Sequence, residues 1–202
     1  AIAFQNWNEN RKQTHLETEV LRQLKVALHN DLNDVNSNIR THERAMRGSQ
    51  TLLNILNSSD PINGNSMIEA VMQSSDYTFL VSDISTYEYL KSVGLHIVKN
   101  DSLRNQITKL YDVVYEGIYG VEKNGEPVQR DVLDDVKRYF SANANSLVPI
   151  GDINEAKKDN EFKFDLKNLE FSHKIMIRKY TQKAKPELER LIQMVEKELK
   201  ER

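Results

Sequence analysis

Mostly apolar residues recur at steps of four and three positions near both ends of the chain. In the first stretch these positions are Leu28, Leu32, Val35, Ile39, His42, Met46, Ser49, Leu53 and Leu56. In the last stretch, from about Asp159 to Lys200, they are Phe162, Leu166, Leu169, His173, Ile177, Tyr180, Ala184, Leu188, Leu191, Val195 and Leu199. The first stretch alternates steps of four and three, which is a heptad seam, and the last has the same steps with additional fours, which is a helical stripe; either spacing keeps one face of a helix against another helix. Each stretch is therefore predicted to be one long helix.

An antiparallel arrangement, with the two turn-side helix ends level, aligns the two seams. In that register Leu28 faces Leu188, and His42 lies level with His173. Two heptad seams align in roughly one register in three or four by geometry alone, so the match supports the pairing without proving it. The two helices are expected to form a stalk.

The residues between the long helices carry the signals of short helices and turns. Ser66 and Ser85, each followed three residues later by a glutamate, match the capping box that begins a helix. Asn100 or Asp101 is predicted to cap a further helix. Gly125, in Lys-Asn-Gly, is predicted to be part of a turn.

These patterns together predict an all-α fold. We expect a single elongated helical domain over 1–202, with a first long helix at 1–57, short middle helices at 58–157 and a last long helix at 158–202. The middle helices are expected to form a distal bundle at the end of the stalk.

Composition narrows the classes of function. The net charge of −2 gives no long-range field that would favour nucleic acid. The chain has no cysteine, which excludes disulfides, thiolate catalysis and cysteine-ligated zinc. No Gly-rich phosphate loop or nucleophile elbow occurs, so the sequence points to no catalytic residues and no cofactor, and the enzyme class is left open but not favoured.

The first residues of the chain are unusually apolar for such a charged protein. Ile-Ala-Phe4 precedes the only tryptophan, Trp7, and Arg11-Lys12 follow. Tryptophan is enriched where a transmembrane helix leaves the bilayer, so Phe4 and Trp7 are candidates for a membrane-proximal anchor. The alternative is a helix end whose aromatic side chains pack on a neighbour, and the spacing alone does not decide between the two.

Three segments carry a resemblance to a known group of proteins. IAFQNWNENRK, STYEYLKSVG and IVKNDSLRNQI resemble a family of single-pass membrane proteins, without assigned function, from Bacteroidetes-type bacteria. The resemblance implies a hydrophobic helix before residue 1, an inner-membrane location and a periplasmic position for this chain. The chain departs from the family pattern because that helix is missing and the Gln5–Trp7 spacing is shorter.

His42 and His173 are the candidates for chemistry on the seam. Glu170 lies three residues before His173, and Glu-x-x-His is a spacing by which helical bundles present metal ligands. Only one such pair occurs, so His42, Glu170 and His173 are less suited to a metal than to a histidine pair sensitive to pH.

Tyrosines supply the remaining candidates. Tyr111 and Tyr115 lie on one helical face and, with Tyr87 and Tyr89 nearby in sequence, could line a small-molecule pocket. Ordinary boundary packing is the favoured interpretation, because a stripe at helical spacing is most often packed against a core. Tyr87, Tyr89 and Lys99 lie in a stretch of short capped helices, where binding residues tend to occur.

The favoured function is therefore a non-enzymatic interaction or scaffold module, tethered to a membrane through a preceding helix. It is expected to bind a protein partner and no nucleic acid, and a homodimer is left open. The alternative is a periplasmic small-molecule sensor that signals through its membrane helix.

Overall fold

The computed structural model describes residues 2–143 and 147–201, and the side chains from residue 9 onward together with that of Trp7. Its elements, in chain order, are α1 (Ile2–Asn57), α2 (Gly64–Ser74), α3 (Ser85–Val93), a 3₁₀ turn (Leu95–Ile97), α4 (Asp101–Lys109), a π-helical turn (Leu110–Tyr115), α5 (Glu116–Tyr139), β1 (Phe140–Ala142), β2 (Leu147–Pro149), a 3₁₀ helix (Ile153–Lys158), α6 (Asn160–Lys179), a second π-helical turn (Tyr180–Ala184) and α7 (Lys185–Lys200). The helical content is 83%, which confirms the all-α class.

The chain folds into two compact units, and α1 contributes to both. Unit 1 consists of Ala1–Asn36, Leu80–Ile118 and Thr181–Arg202. Unit 2 consists of Ser37–Phe79 and Tyr119–Tyr180.

Unit 1 pairs the first part of α1 with α7 in opposite directions. The Lys25 ammonium lies 2.8 Å from the Glu196 carboxylate. The short middle segment also packs here, since the Lys99 amide donates to Glu17 at 2.8 Å and the Asn100 side chain donates to Glu198 at 2.8 Å. The antiparallel pairing is as predicted. Short helices, however, accompany the terminal helices in unit 1 as well as the long helices in unit 2.

Unit 2 pairs the second part of α1 with α6, again antiparallel. His42 of α1 meets His173 of α6, as the predicted register requires, and Asn38 reaches Tyr180. One hydrophobic cluster fills the unit. Its buried members are Leu52, Leu56, Met67, Ala70, Val71, Val132, Val136, Phe140, Ala156, Phe162, Leu166 and Leu169.

The buried face of α1 differs from the predicted seam at every second position. Leu32 and Ile39 are only half-buried, whereas Asp31 and Asn38, one position earlier, are buried. At the N-terminal side Leu16 is exposed. The buried positions Leu28, Asp31, Val35, Asn38 and His42 keep the heptad repeat with the three-residue step first, so the prediction chose the apolar neighbour over the buried polar residue.

The helix starts differ in part from the predicted capping boxes. Asn63, not Ser66, caps α2 by accepting from the Asn65 and Ser66 amides. Asp83 accepts from the Ser85 amide at the start of α3. Asn100 caps α4 as predicted, through the Leu103 amide at 3.2 Å. Asparagine and aspartate oxygens reach back to the same amides that serine would satisfy, so sequence alone does not rank these candidates.

The predicted turn at Gly125 is wrong, because α5 continues through it and through Pro127. A side chain at Gly125 would meet the Tyr77 hydroxyl and, at 2.9 Å, the Ser172 hydroxyl oxygen. The glycine therefore allows a close approach within unit 2 rather than a reversal of the chain.

A short hairpin follows α5, within the region predicted to hold the short middle helices. β1 and β2 pair antiparallel, with Ser141 opposite Val148. Near the other end of the chain, Pro186 lies in the first turn of α7, directly after the π-helical turn Tyr180–Ala184. Proline is tolerated in the first turn of a helix, where its missing N–H would have no intrahelical partner.

Candidate functional sites

The two seam histidines form a buried pair in unit 2. The Nδ1 atoms of His42 and His173 are 3.0 Å apart. One Nδ1 must donate a proton and the other must accept it, so the contact fits two neutral rings in opposite tautomers. Tyr180 stacks on His42 with ring centroids 5.8 Å apart, and Tyr77 meets the same ring edge-on at 5.5 Å. The aromatic rings exclude water from the pair.

Burial sets the protonation of both histidines. Burial, with the neighbouring His173, lowers the pKa of His42 to about 3, although the Thr78 backbone opposes the shift. Burial lowers the pKa of His173 to about 4, against the Ser74 backbone and the charge of Asp76. The rings are therefore neutral in the folded protein between pH 5 and 8. The expected titration near neutrality does not occur in the folded state.

Glu170, the third candidate metal ligand, points to other partners. Its carboxylate accepts from Gln50 at 2.9 Å and pairs with Lys167 at 2.6 Å and Lys174 at 2.5 Å. Burial alone would raise the pKa of Glu170, but these bonds outweigh it and lower the pKa to about 2. Within residues 2–143 and 147–201, no group of three His, Cys, Asp or Glu side chains is arranged to hold a metal ion.

A second buried polar group adjoins the histidines. The Tyr180 hydroxyl donates to the buried Glu122 carboxylate, and the Tyr77 hydroxyl donates to the Glu122 backbone carbonyl at 3.0 Å. Asn38 accepts from the Thr78 hydroxyl at 2.8 Å. These bonds satisfy polar atoms that would be costly if left unpaired, so the network fixes the geometry of the unit.

In unit 1 the predicted tyrosines pack together instead of lining a pocket. Tyr87 stacks on Tyr111 at a centroid distance of 4.5 Å, and Tyr111 meets Tyr115 edge-on at 5.2 Å. All three are buried. The Tyr115 hydroxyl donates at 2.6 Å to Asp31, which also accepts from the Asp83 amide at 2.8 Å. Boundary packing is the role the geometry gives them.

The pKa of the Asp31 carboxyl should lie well above that of an ordinary aspartate. Burial raises its pKa to about 6, although the bonds from Tyr115 and Asp83 oppose the rise. Removing the Tyr115 hydroxyl in Tyr115→Phe is expected to raise the pKa further, because the charged carboxylate loses a donor. NMR titration of the Asp31 side chain measures both values. Tyr111→Phe, which removes a hydroxyl that is not bonded to Asp31, is the control, and an equal shift in both variants would contradict the assignment.

Exposed apolar side chains are concentrated in the segment 81–93 of unit 1. Val81 is 76% exposed, and Ile84, Tyr89 and Val93 are also exposed. The segment is held at its start by the Asp34 carboxylate, which accepts from the Val81 amide at 2.9 Å. Of the sequence candidates, Tyr89 therefore lies on a free surface and Tyr87 does not.

Lys99 lies outside this segment, against α1. Its amide donates to Glu17 and its ammonium lies 3.2 Å from the Thr14 hydroxyl. Both contacts tie the middle segment to α1 in unit 1. The structure thus gives Lys99 a role in packing.

An apolar groove in unit 2 was not predicted from the sequence. It has a volume of about 670 Å³ and lies between α2, α5 and the hairpin. The residues that line it are Val71, Met72, Ser75, Arg130, Leu133, Asp134, Val136, Lys137, Phe140, Ala142, Asn143 and Leu147. One signal was available, since α2 carries Met67, Ile68, Val71 and Met72, more apolar residues than one buried face needs.

The candidate anchor falls partly outside the described side chains. Trp7 is 56% exposed, and the Arg11 guanidinium lies over its ring at 5.6 Å from the centroid. The side chain of Phe4 lies outside the described residues. Over the residues that the structure describes, no helix is both long and apolar enough to cross a bilayer.

Comparison with known proteins finds no match to a family model, to a curated protein or to a solved structure. The family resemblance of the three short segments therefore stays a prediction. Function has to be argued from the side chains of this chain.

Proposed function

We propose that the chain is a non-enzymatic interaction module that binds a protein partner through the segment 81–93. The observation that supports this is the group of exposed apolar side chains at Val81, Ile84, Tyr89 and Val93. Apolar side chains left in water on a rigid scaffold are typical of surfaces that bind other proteins. Asp31 and Asp34 of α1 accept from the backbone amides of Asp83 and Val81, and these bonds hold the start of the segment against α1.

We further propose that a hydrophobic helix before residue 1 tethers the module to the inner membrane, with the module in the periplasm. The exposed Trp7 and the three-segment resemblance support this location. A homodimer through the same surface is an alternative to a separate partner, and it is distinguished by the oligomeric state of the purified protein.

A pull-down with the full-length protein from its own membranes tests the binding surface. Wild type is expected to recover one stoichiometric partner, and a variant with Val81→Asp, Ile84→Asp and Tyr89→Ala is expected to lose it. The matched control carries Val26→Asp and Val113→Asp, which replace side chains of unit 1 that are 62% and 63% exposed outside the segment. Circular dichroism verifies that all three proteins are folded. Equal recovery by the segment variant and wild type would rule out this surface.

A second function, small-molecule sensing, is supported by the groove of unit 2. Its volume lies in the range of ligand sites, about 300–1,000 Å³. Val71, Val136 and Phe140 on its wall belong to the same hydrophobic cluster as Leu52 and Leu56 of α1. A ligand in the groove would therefore contact side chains that share a cluster with residues of α1. The first residues of α1 adjoin the proposed tether.

A further inference from the structure

The groove of unit 2 combines an apolar wall with an open side. Val71, Val136 and Phe140 are buried and form part of the core, whereas Met72 at the open side is 59% exposed. Apolar side chains come from α2, α5 and the hairpin, so three elements enclose the space. Such a groove has room for an extended hydrocarbon chain and provides few polar atoms that would oppose it.

Two cationic side chains, those of Arg130 and Lys137, line the groove. Arg130 and Lys137 are seven residues apart on α5 and so lie on the same face, about 10 Å from each other along the axis. Asp134 between them is the one acidic residue that lines the groove. The lining therefore carries one more positive than negative charge, which favours an anion over a cation.

Arg130 and Lys137 each form an exposed ion pair within α5. Arg130 pairs with Glu126 at 2.9 Å and Lys137 pairs with Asp134 at 2.6 Å, all of them on α5 and more than half exposed. Exposed ion pairs within one helix contribute little to stability, so a bound anion can replace them at small cost.

We propose that this groove binds a single-chain carboxylate amphiphile, with the hydrocarbon chain on Val71, Leu133 and Phe140 and the carboxylate on Arg130 and Lys137. The proposal gives the second function above its ligand class and rests on the groove being a ligand site. It does not depend on the partner surface at 81–93, and direct binding to the isolated chain is separate from any signal in the full-length protein.

Calorimetric titration of the 1–202 chain with octanoate, decanoate and dodecanoate, below their micelle concentrations, tests the wall. Each buried methylene is expected to increase affinity about fourfold, so each two-carbon step gives about a fifteenfold increase. Decanol is expected to bind about two- to fivefold more weakly than decanoate, because it lacks the charge. Affinity that does not rise with chain length, or an alcohol that binds as well as the acid, would overturn the proposal.

Two pairs of variants locate the site. Met72→Glu places a carboxylate on the open side and should weaken decanoate at least tenfold, whereas Phe164→Glu, at a side chain of unit 2 that is 64% exposed outside the groove, should not. Arg130→Gln with Lys137→Gln should remove the preference for decanoate over decanol.

The charge control is Lys123→Gln with Lys163→Gln, two lysines of unit 2 that do not line the groove, and it should keep the preference. Both groove variants change exposed side chains and should keep the circular dichroism spectrum of wild type. Equal weakening by Phe164→Glu, or a preference that survives without Arg130 and Lys137, would place binding elsewhere. A dimer that forms through the groove and is unaffected by decanoate would identify a second copy as the occupant and overturn the proposal.

Discussion

Lowering the pH from 8 to 5 should destabilise the wild-type protein by about 4 kcal/mol more than a variant with His42→Leu and His173→Leu, about 2 kcal/mol for each histidine. The folded-state pKa values are about 3 and about 4, below the ordinary histidine value of 6.5. The unfolded chain therefore takes up protons first. The contribution of the pair is complete above pH 6.5 and is lost as the pH falls towards the two folded-state values.

Urea unfolding followed by circular dichroism at pH 8, 7, 6 and 5 measures the effect in both proteins. Burial raises the pKa values of Asp31 and Asp135 to about 6, and protonation of these carboxyls stabilises the folded state as the pH falls below that value. Both proteins contain them, so the difference between the two curves isolates the histidines. Parallel curves from pH 8 to 5 would mean that the pair is not excluded from water as the geometry indicates.

Gly48→Ala should destabilise the protein by about 1–3 kcal/mol, although alanine is the better helix former. An added Cβ would lie 2.5 Å from the Ser74 amide nitrogen and 2.7 Å from the Gln73 carbonyl carbon. Both are backbone atoms at the end of α2, so neither can rotate away. Relief requires α1 and α2 to separate inside unit 2.

Gly120→Ala is the matched control, because Gly120 also lies in a helix of unit 2 and an added Cβ there meets nothing within 4 Å. It should stabilise the protein by about 0.5–1 kcal/mol through helix propensity alone. Urea unfolding at pH 7.5 compares the three proteins. Similar shifts in both variants would show that the close approach at Gly48 is not tight.

The parts of the fold that depend on local periodicity were predictable. The helical spacing predicted the two long helices and placed His42 opposite His173. This periodicity is local, so it can be recognised without knowledge of the other segments. Gly125 was misread for the opposite reason. Its sequence neighbours suit a turn, but its requirement is the approach of Tyr77 and Ser172, which lie far away in sequence.

The candidate sites likewise depend on contacts between residues that are distant in sequence, which the pattern alone does not show. Tyr87 and Tyr89 are two residues apart in a short helix, and only the fold decides that the first is buried and the second exposed. The groove escaped prediction because Met72 and Leu133 form its wall only after the core has taken the other apolar residues. Such surfaces consist of apolar residues that the core leaves exposed, and the sequence pattern alone does not show which residues those are.

The π-helical turn at Tyr180–Ala184 has a consequence for how the sequence can vary. The buried positions Met176, Tyr180, Ala184 and Leu188 follow one another at steps of four, where a strict heptad would insert a three, and the wider turn accommodates this stutter. Removing one residue from this turn would return the four positions to steps of four, three and four, the spacing of an unbroken α-helix, and would keep Leu188 directed at the interior. The helix can therefore lose one residue at this stretch without turning its buried face outwards, and the solvent-facing Gln182 is a position where such a deletion is compatible with the fold.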